Sequence, residues 1–230
     1  MLEVIVENAE DAKLAEIYGA NRLEVVSAIS EGGLTPSYGV LKEIVGATSL
    51  QTMVMIRPHS HSFVYSESDQ RAIQTDIEVV KELGASGIVF GAVTASGEID
   101  TALLEKVLEW KGNLRFTFHR AIEATNDIEK AYDTLKTYGK KIDQVLTSGG
   151  TKSAMDSIPL LQKWITESRE DPDALSILVG SGVTDQNIRE LHLALSNDAY
   201  HVGGGARISG SFANSLDPER IERIQAIINN

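Results

Sequence analysis

Apolar runs of strand length alternate with segments of helical period from one end of the chain to the other. Eight runs read as strands, at 2–6, 21–27, 51–56, 86–91, 114–119, 143–147, 176–180 and 199–203. Eight helix-period segments follow them in turn, at 9–18, 36–46, 67–83, 101–111, 127–138, 152–169, 185–195 and 218–228. Strands regularly followed by helices imply βαβ crossovers and a parallel sheet. Dividing 230 residues among eight such units leaves about 29 for each, close to the compact limit of a (β/α)8 barrel. The expected architecture is α/β, a single (β/α)8 TIM-like barrel domain over residues 1–230. An open doubly wound sheet is the other way to arrange the same elements, and it requires a reversal of strand order.

The turn residues agree with this count. Asn8 with Asp11, and Asn126 with Glu129, have capping-box spacing at strand-to-helix turns. Thr35-Pro36 and Asp217-Pro218 pair a capping side chain with proline at the first helical position. Asp100 and Thr184 are placed to cap two more helices. Gly19, Gly84 and Gly139 each stand just after a helical pattern, ready for a left-handed stop, and Asn197 occupies the equivalent place before the eighth strand. The charged stretch 169–173 is the most loop-like and is too short to separate domains.

In a parallel barrel the reactive face lies at the strand C-termini and in the loops that follow. Strand alternation then selects side chains. Arg22 and Glu24 share one face of the second strand, Met53, Met55 and Arg57 one face of the third, and Arg115, Thr117 and His119 one face of the fifth. Their alternates are apolar and belong against the helices, so Arg22, Glu24, Arg57 and His119 should lie in or above the lumen. Such charges in a packed interior must be paired. They read either as a salt-bridge network that sets strand register or as an anion-binding or acid/base site. The glycine turns Gly180-Ser181-Gly182 and Gly203-Gly204-Gly205 follow the seventh and eighth strands, where many barrels cradle a phosphate on backbone N–H groups.

Other candidates are weaker. His59 and His61 stand two apart in a loop and could present two imidazoles to a metal, without an evident third ligand. Met53 and Met55 offer thioethers but read first as packing. His192 falls within a helix, and His201 begins the eighth strand as a core or lumen residue. Ser181 lacks the nucleophile-elbow pattern of a hydrolase. The metal ligands, if any, are unknown from these residues.

Composition narrows the function classes. The chain has no cysteine, which excludes a disulfide scaffold, a cysteine-ligated metal centre and a cysteine nucleophile. With 33 acidic and 21 basic residues its formal net charge is −12, which argues against nucleic acid or an anionic membrane as partner. The N-terminal segment carries acids where a signal peptide needs bases, and the apolar runs are too short to span a bilayer. The expected location is the cytoplasm. Self-association as a homo-oligomer is left open.

From Arg22-Leu23-Glu24 through Ser30-Glu31-Gly32-Gly33-Leu34-Thr35-Pro36 the chain resembles the CutC family of copper homeostasis proteins. The resemblance continues at Met55-Ile56-Arg57-Pro58, Phe63-Val64-Tyr65-Ser66, Gly97-Glu98-Ile99-Asp100, Phe118-His119-Arg120-Ala121 and Leu146-Thr147-Ser148-Gly149, and weakens beyond residue 200. It implies a TIM-like barrel and a cytoplasmic copper-handling or copper-binding protein, with copper as the cofactor or cargo. Relatives often carry cysteine at the positions of Ile5, Val26 and Val64, so their thiolates, the natural soft ligands of Cu(I), have no counterpart here. The polar set that does match is Glu24, Arg57, His119 and Arg120. These residues also suit a metal-independent enzyme acting on a small phosphorylated or carboxylated compound. Arg57 and Arg120 would clamp the anion, His119 would serve as general acid/base, Glu24 would orient a partner or carry a second proton, and the turns at 180–182 and 203–205 would take a phosphate. A non-catalytic adaptor is a third reading, with no patch to mark it.

Overall fold

The computed structural model describes residues 1–171 and 173–229. Eight parallel strands run β1 (Leu2–Val6), β2 (Arg22–Val25), β3 (Gln51–Met55), β4 (Gly87–Phe90), β5 (Arg115–Phe118), β6 (Gln144–Thr147), β7 (Ser176–Val179) and β8 (Tyr200–Val202). They pair in sequence order and close on themselves as β8 pairs with β1, through Leu2↔Tyr200, Glu3↔His201 and Val4↔Val202. This closure excludes the open sheet. Helices α1 (Ala9–Ile17), α2 (Tyr38–Ala47), α3 (Glu67–Glu82), α4 (Thr101–Lys111), α5 (Ile128–Lys136), α6 (Ile158–Glu170), α7 (Ile188–Leu195) and α8 (Pro218–Ile228) form the outer ring.

The alternation of side chains divides the interior into two layers. Leu23, Val25, Val54, Ile88, Phe116 and Phe118 point outward and pack against the helices in one continuous core. Burying each large apolar side chain contributes roughly 1.5–3 kcal/mol. Ile5, Val26, Met53, Met55 and Val89 form a separate cluster inside the lumen. Met53 and Met55 are therefore packing residues of the lumen wall, with Met55 also reaching the cavity described below.

Four helix starts differ from the sequence expectation, each because a side chain or a proline serves another purpose. Thr35 does not cap α2; its Oγ1 accepts from the Arg57 N–H at 2.8 Å, and Ser37 caps instead. Asn126 donates to the Ser96 carbonyl at 2.7 Å, leaving Asp127 to cap α5. The segment 152–157 is not part of α6. Residues Ala154–Ser157 form a 3-10 turn, and Pro159 falls in the first helical turn, where its missing N–H costs nothing. Thr184 donates its own N–H to Asn187 Oδ1 at 2.9 Å, and α7 begins at Ile188. At the other end of α7 the left-handed residue is Ser196, at φ 49°. Asn197 is buried and ties Ile177 to Ala199 through their carbonyls. Arg169 and Glu170 complete α6 and Asp171 is its C-cap, so the charged stretch is helical only in its first two residues; Pro172 lies outside the described residues.

Candidate functional site

The lower lumen is filled by a polar network. Glu3 alternates inward from Leu2 and Val4 on β1 and accepts from Arg22 Nε at 2.5 Å. Arg22 also reaches the Gln144 side chain on β6. His201 on β8 meets Glu3 Oε1 through Nδ1 at 2.8 Å and faces Glu24 Oε2 through Nε2 at 3.7 Å. Burial opposes ionisation of Glu3, but Arg22 and His201 outweigh it and hold its carboxyl below the usual range. Burial also opposes charge on His201, yet Glu24 and Glu3 keep its pKa above the ordinary value. Arg22 is thus a register-setting residue, buried beneath the site.

Above this network a cavity of about 470 Å³ opens at the strand C-termini. Such volumes suit small metabolites. Glu24 and His201 rise into it from below, with His119, Arg57 and Phe63 on one part of the wall and Phe212 on another. Glu24 Oε1 is buried and has no partner. Burial, helped by the Glu3 carboxylate and opposed by His201, pushes Glu24 up to about 7.

His119 closes β5 and begins the 3-10 turn Arg120–Ala124. Its Nδ1 accepts from the Ala121 N–H at 3.1 Å, which places the ring proton on Nε2. That Nε2 is buried and unpartnered. Burial, and then the Arg57 cation, push the imidazole down to about 3. His119 is therefore a neutral hydrogen-bond donor near neutral pH.

Arg57 explains the first motif of the sequence. An antiparallel bridge between Ser27 and Leu34 folds residues 28–33 into a loop over β3. Its Glu31 and Gly33 carbonyls accept from Arg57 Nη1 at 2.8 and 3.1 Å. Gly32 holds left-handed backbone at φ 85°, and a Cβ there would stand 3.1 Å from Nη1, so that the guanidinium would have to give way. Phe63 lies under the guanidinium, 4.7 Å from ring centroid to Cζ. Only 6% of Arg57 is exposed, and no carboxylate lies within ion-pair distance of it among the described residues. Its Nε has no partner. Arg120 differs: it is half-exposed and engaged by Glu123 Oε2 at 2.7 Å. Glu123 also fastens Thr147 and Ser148, so the turn after β6 is structural.

The glycine turns divide by role. Gly182 and Gly203 line the cavity, and their N–H groups have no backbone acceptor among the described residues. Ser181, held at φ 73° by bonds to Lys152 and Ala154, sets the shape of the first turn. Gly204 and Gly205 also line the cavity and pack against backbone, Gly204 on Gly210 and Gly205 on Val183 and Thr184 just past the first turn. Gly180 does not line it. Its N–H donates to Thr147 within the barrel, and a Cβ there would strike Leu146 at 2.6 Å. Its purpose is to make room in the lumen.

The CutC family profile matches residues 1–205. The human copper homeostasis protein cutC homolog is 36% identical over 217 residues, covering 94% of this chain and 78% of its own. This chain belongs to the CutC family. A crystal structure of CutC from Streptococcus agalactiae superposes with a TM-score of 0.79 at 27% identity, covering 88% of this chain and 97% of that one. A phosphoribosyl anthranilate isomerase from Thermococcus kodakaraensis superposes with a TM-score of 0.64 at 17% identity, covering 100% and 98%, which shows the barrel fold alone.

Within this CutC-family barrel, Glu24, Arg57, His119 and Arg120 do line one cavity, together with Ser181, Gly182, Gly203 and Gly204. His59 and His61 lie outside it; their rings stack with centroids 5.1 Å apart, and His59 Nε2 faces Asp69 at 3.5 Å. His192 packs between helix and barrel, its Nδ1 3.0 Å from the Tyr200 hydroxyl. Sequence reasoning missed Glu3, although the alternation rule used for β2 marks it on β1. It also missed Phe63, Phe212 and Arg220, which come from a long loop or a helix start and carry no periodic signal.

Proposed function

We propose that this CutC-family chain binds a small anionic organic ligand, phosphorylated or carboxylated, in the mouth of its barrel. We further propose that it serves copper homeostasis, the role in its human relative's name, by this route rather than as a holder of copper. A cytoplasmic setting goes with this reading; among the described residues no helix is long and apolar enough to cross a membrane. The observation that carries the proposal is Arg57, a buried guanidinium without a carboxylate. A buried charge left unpaired is costly, and an anionic ligand supplies the missing partner. The free N–H groups of Gly182 and Gly203 supply further donors on the same cavity.

The donors present do not suit a resident copper ion. Thiolates are absent, and the two methionines nearest the site are packing residues of the lumen. Among the described residues one group of three acid or imidazole side chains, Glu3, Glu24 and His201, brings its ligand atoms within 4.8 Å of one another. Glu3 is already engaged by His201 Nδ1 and by the Arg22 cation, and Glu24 Oε2 faces His201 Nε2 at 3.7 Å. A copper ion there would have to displace a proton and sit beside a guanidinium.

The test is a pair of titrations on the purified protein. Cu(I) and Cu(II) are each offered against a competing chelator, and inorganic phosphate is followed by thermal stabilisation. The expected result is that copper stays with the chelator, while phosphate raises the Tm and Arg57→Met weakens that effect at least about tenfold. Stoichiometric copper capture, or phosphate stabilisation indifferent to Arg57→Met, would overturn the proposal.

A further inference from the structure

We propose that the barrel mouth is an active centre for proton transfer on a phosphorylated α-hydroxy ketone. Glu24 Oε1 moves a proton between adjacent carbons, and the Nε2–H of His119 holds the carbonyl oxygen as it gains negative charge. This rests on the anion-pocket reading above and goes beyond it in naming a reaction and its two acting groups.

Two unsatisfied atoms carry the argument. Glu24 Oε1 and His119 Nε2 are both buried and both without a partner, and their residues line the same cavity. Their residues are only 3% and 4% exposed. Leaving such atoms unpaired is costly, and a ligand can recover that cost. The carboxylate oxygen accepts, and the imidazole Nε2–H donates. A carbon acid beside a carbonyl needs that combination: a base for its C–H and a donor for its oxygen. His119 does not exchange roles, because its Nδ1 is occupied by the Ala121 N–H, and burial and then Arg57 discourage a second ring proton. A neutral imidazole facing a carbonyl, with a carboxylate as base, is a known division of labour in enolising barrels.

The surroundings of Glu24 support its part. The charged or titratable groups facing it are Glu3 from β1, Arg22 from β2 itself and His201 from β8. Its neighbour in register on β3 is the uncharged Met53. Oε2 is turned to His201, which leaves Oε1 as the oxygen free to work. With Glu24 titrating at about 7, the carboxylate and carboxylic acid are both populated near neutrality.

The reaction balances without a co-reactant. Glu24 carboxylate takes the proton from the hydroxyl-bearing carbon. The C–H electron pair becomes the new C=C bond, and the carbonyl π pair moves onto oxygen against the His119 Nε2–H. Glu24, now a carboxylic acid, returns a proton to the former carbonyl carbon. The electron pair on the oxygen of the first carbon, after loss of its hydroxyl proton to the neighbouring oxyanion, forms the new carbonyl. Arg57 and the glycine N–H groups hold the phosphate throughout.

The experiment follows hydrogen–deuterium exchange by proton NMR in D2O. Dihydroxyacetone phosphate and ribulose 5-phosphate serve as probes, with inorganic phosphate as the binding control. Wild-type protein is expected to bind the probes, by thermal stabilisation, and to wash deuterium into the carbon beside the carbonyl. The rate should rise with pH through about 7 with no limb from His119 above pH 5. Glu24→Gln should bind phosphate as wild type does and lose at least 100-fold in exchange. His119→Asn, an independent second variant, should lose at least tenfold. Binding without exchange, or exchange unchanged in Glu24→Gln, would overturn the catalytic proposal and leave the anion pocket standing. Failure of phosphate and both probes to stabilise the protein would overturn the pocket reading itself.

Discussion

A methyl group added at Gly91 would stand 2.5 Å from His119 Nδ1 and 2.8 Å from its Cε1. The ring therefore owes its position to an absent side chain on the neighbouring strand. Gly91→Ala must push the imidazole away from the Ala121 N–H or spread β4 from β5. Overpacking of this kind costs about 1–3 kcal/mol, to be read as a lowered urea midpoint with unchanged slope. An unchanged midpoint would show that the ring yields freely and is not held where the site needs it. At this scale the sequence told part of the story. Alternation along β2 and β5 marks Glu24 and His119 as inward-facing. It says nothing of protonation, because that depends on the Ala121 N–H and on Arg57, which the chain brings together only on folding. The protonation states of the two side chains were consequently legible only in three dimensions.

Helices are set by their ends as much as by their periods. At α3, Ser66 accepts from the Asp69 N–H at 3.3 Å and Asp69 Oδ2 accepts from the Ser66 N–H at 2.8 Å, a reciprocal capping box. Ser66→Ala removes one half of it, and a loss of roughly 1 kcal/mol is expected in equilibrium unfolding. A variant as stable as wild type would mean that solvent satisfies the first turn equally well. The contrast with Thr35 shows why element boundaries were harder to read than elements. Both residues have capping chemistry, but Thr35 is drawn to the Arg57 N–H across the barrel rim. Local pattern identifies every strand and helix here because periodicity is local. It misplaces the starts of α2 and α5 because those caps compete with tertiary partners, of α7 because Thr184 and Asn187 close a local turn first, and of α6 because Pro159 admits only the first turn.

On the whole molecule the buried groups His119 and Glu24 act in opposite directions. His119, lowered from 6.5 to about 3, contributes stability above pH 6.5 that is lost as pH falls toward 3. Glu24, raised from 4.5 to about 7, contributes stability below pH 4.5 that is lost as pH rises through 7. Between about pH 4.5 and 6.5 the two slopes oppose each other. His119→Asn should therefore gain stability relative to wild type as pH falls through that window, by up to about 1.4 kcal/mol per unit. Urea midpoints taken across the range would show it; parallel curves for the two proteins would exclude a neutral, buried His119. The fold itself was legible at this scale, since eight strand–helix units leave the closed barrel as the compact arrangement. The cavity wall was less so, because Phe63 and Phe212 arrive from loops without period.

The hoop of strands is not equally strong all round. β2 and β3 share four registered pairs, whereas β7 and β8 share one, Val179↔Tyr200. That thin seam ends at Gly182 on one side and Gly203 on the other, the same two turns that line the cavity. A molecule lying across both turns would work as a clasp on the weakest link of the ring. Occupancy of the pocket and cohesion of the barrel would then be one property, and the empty protein would breathe where the filled one is fastened.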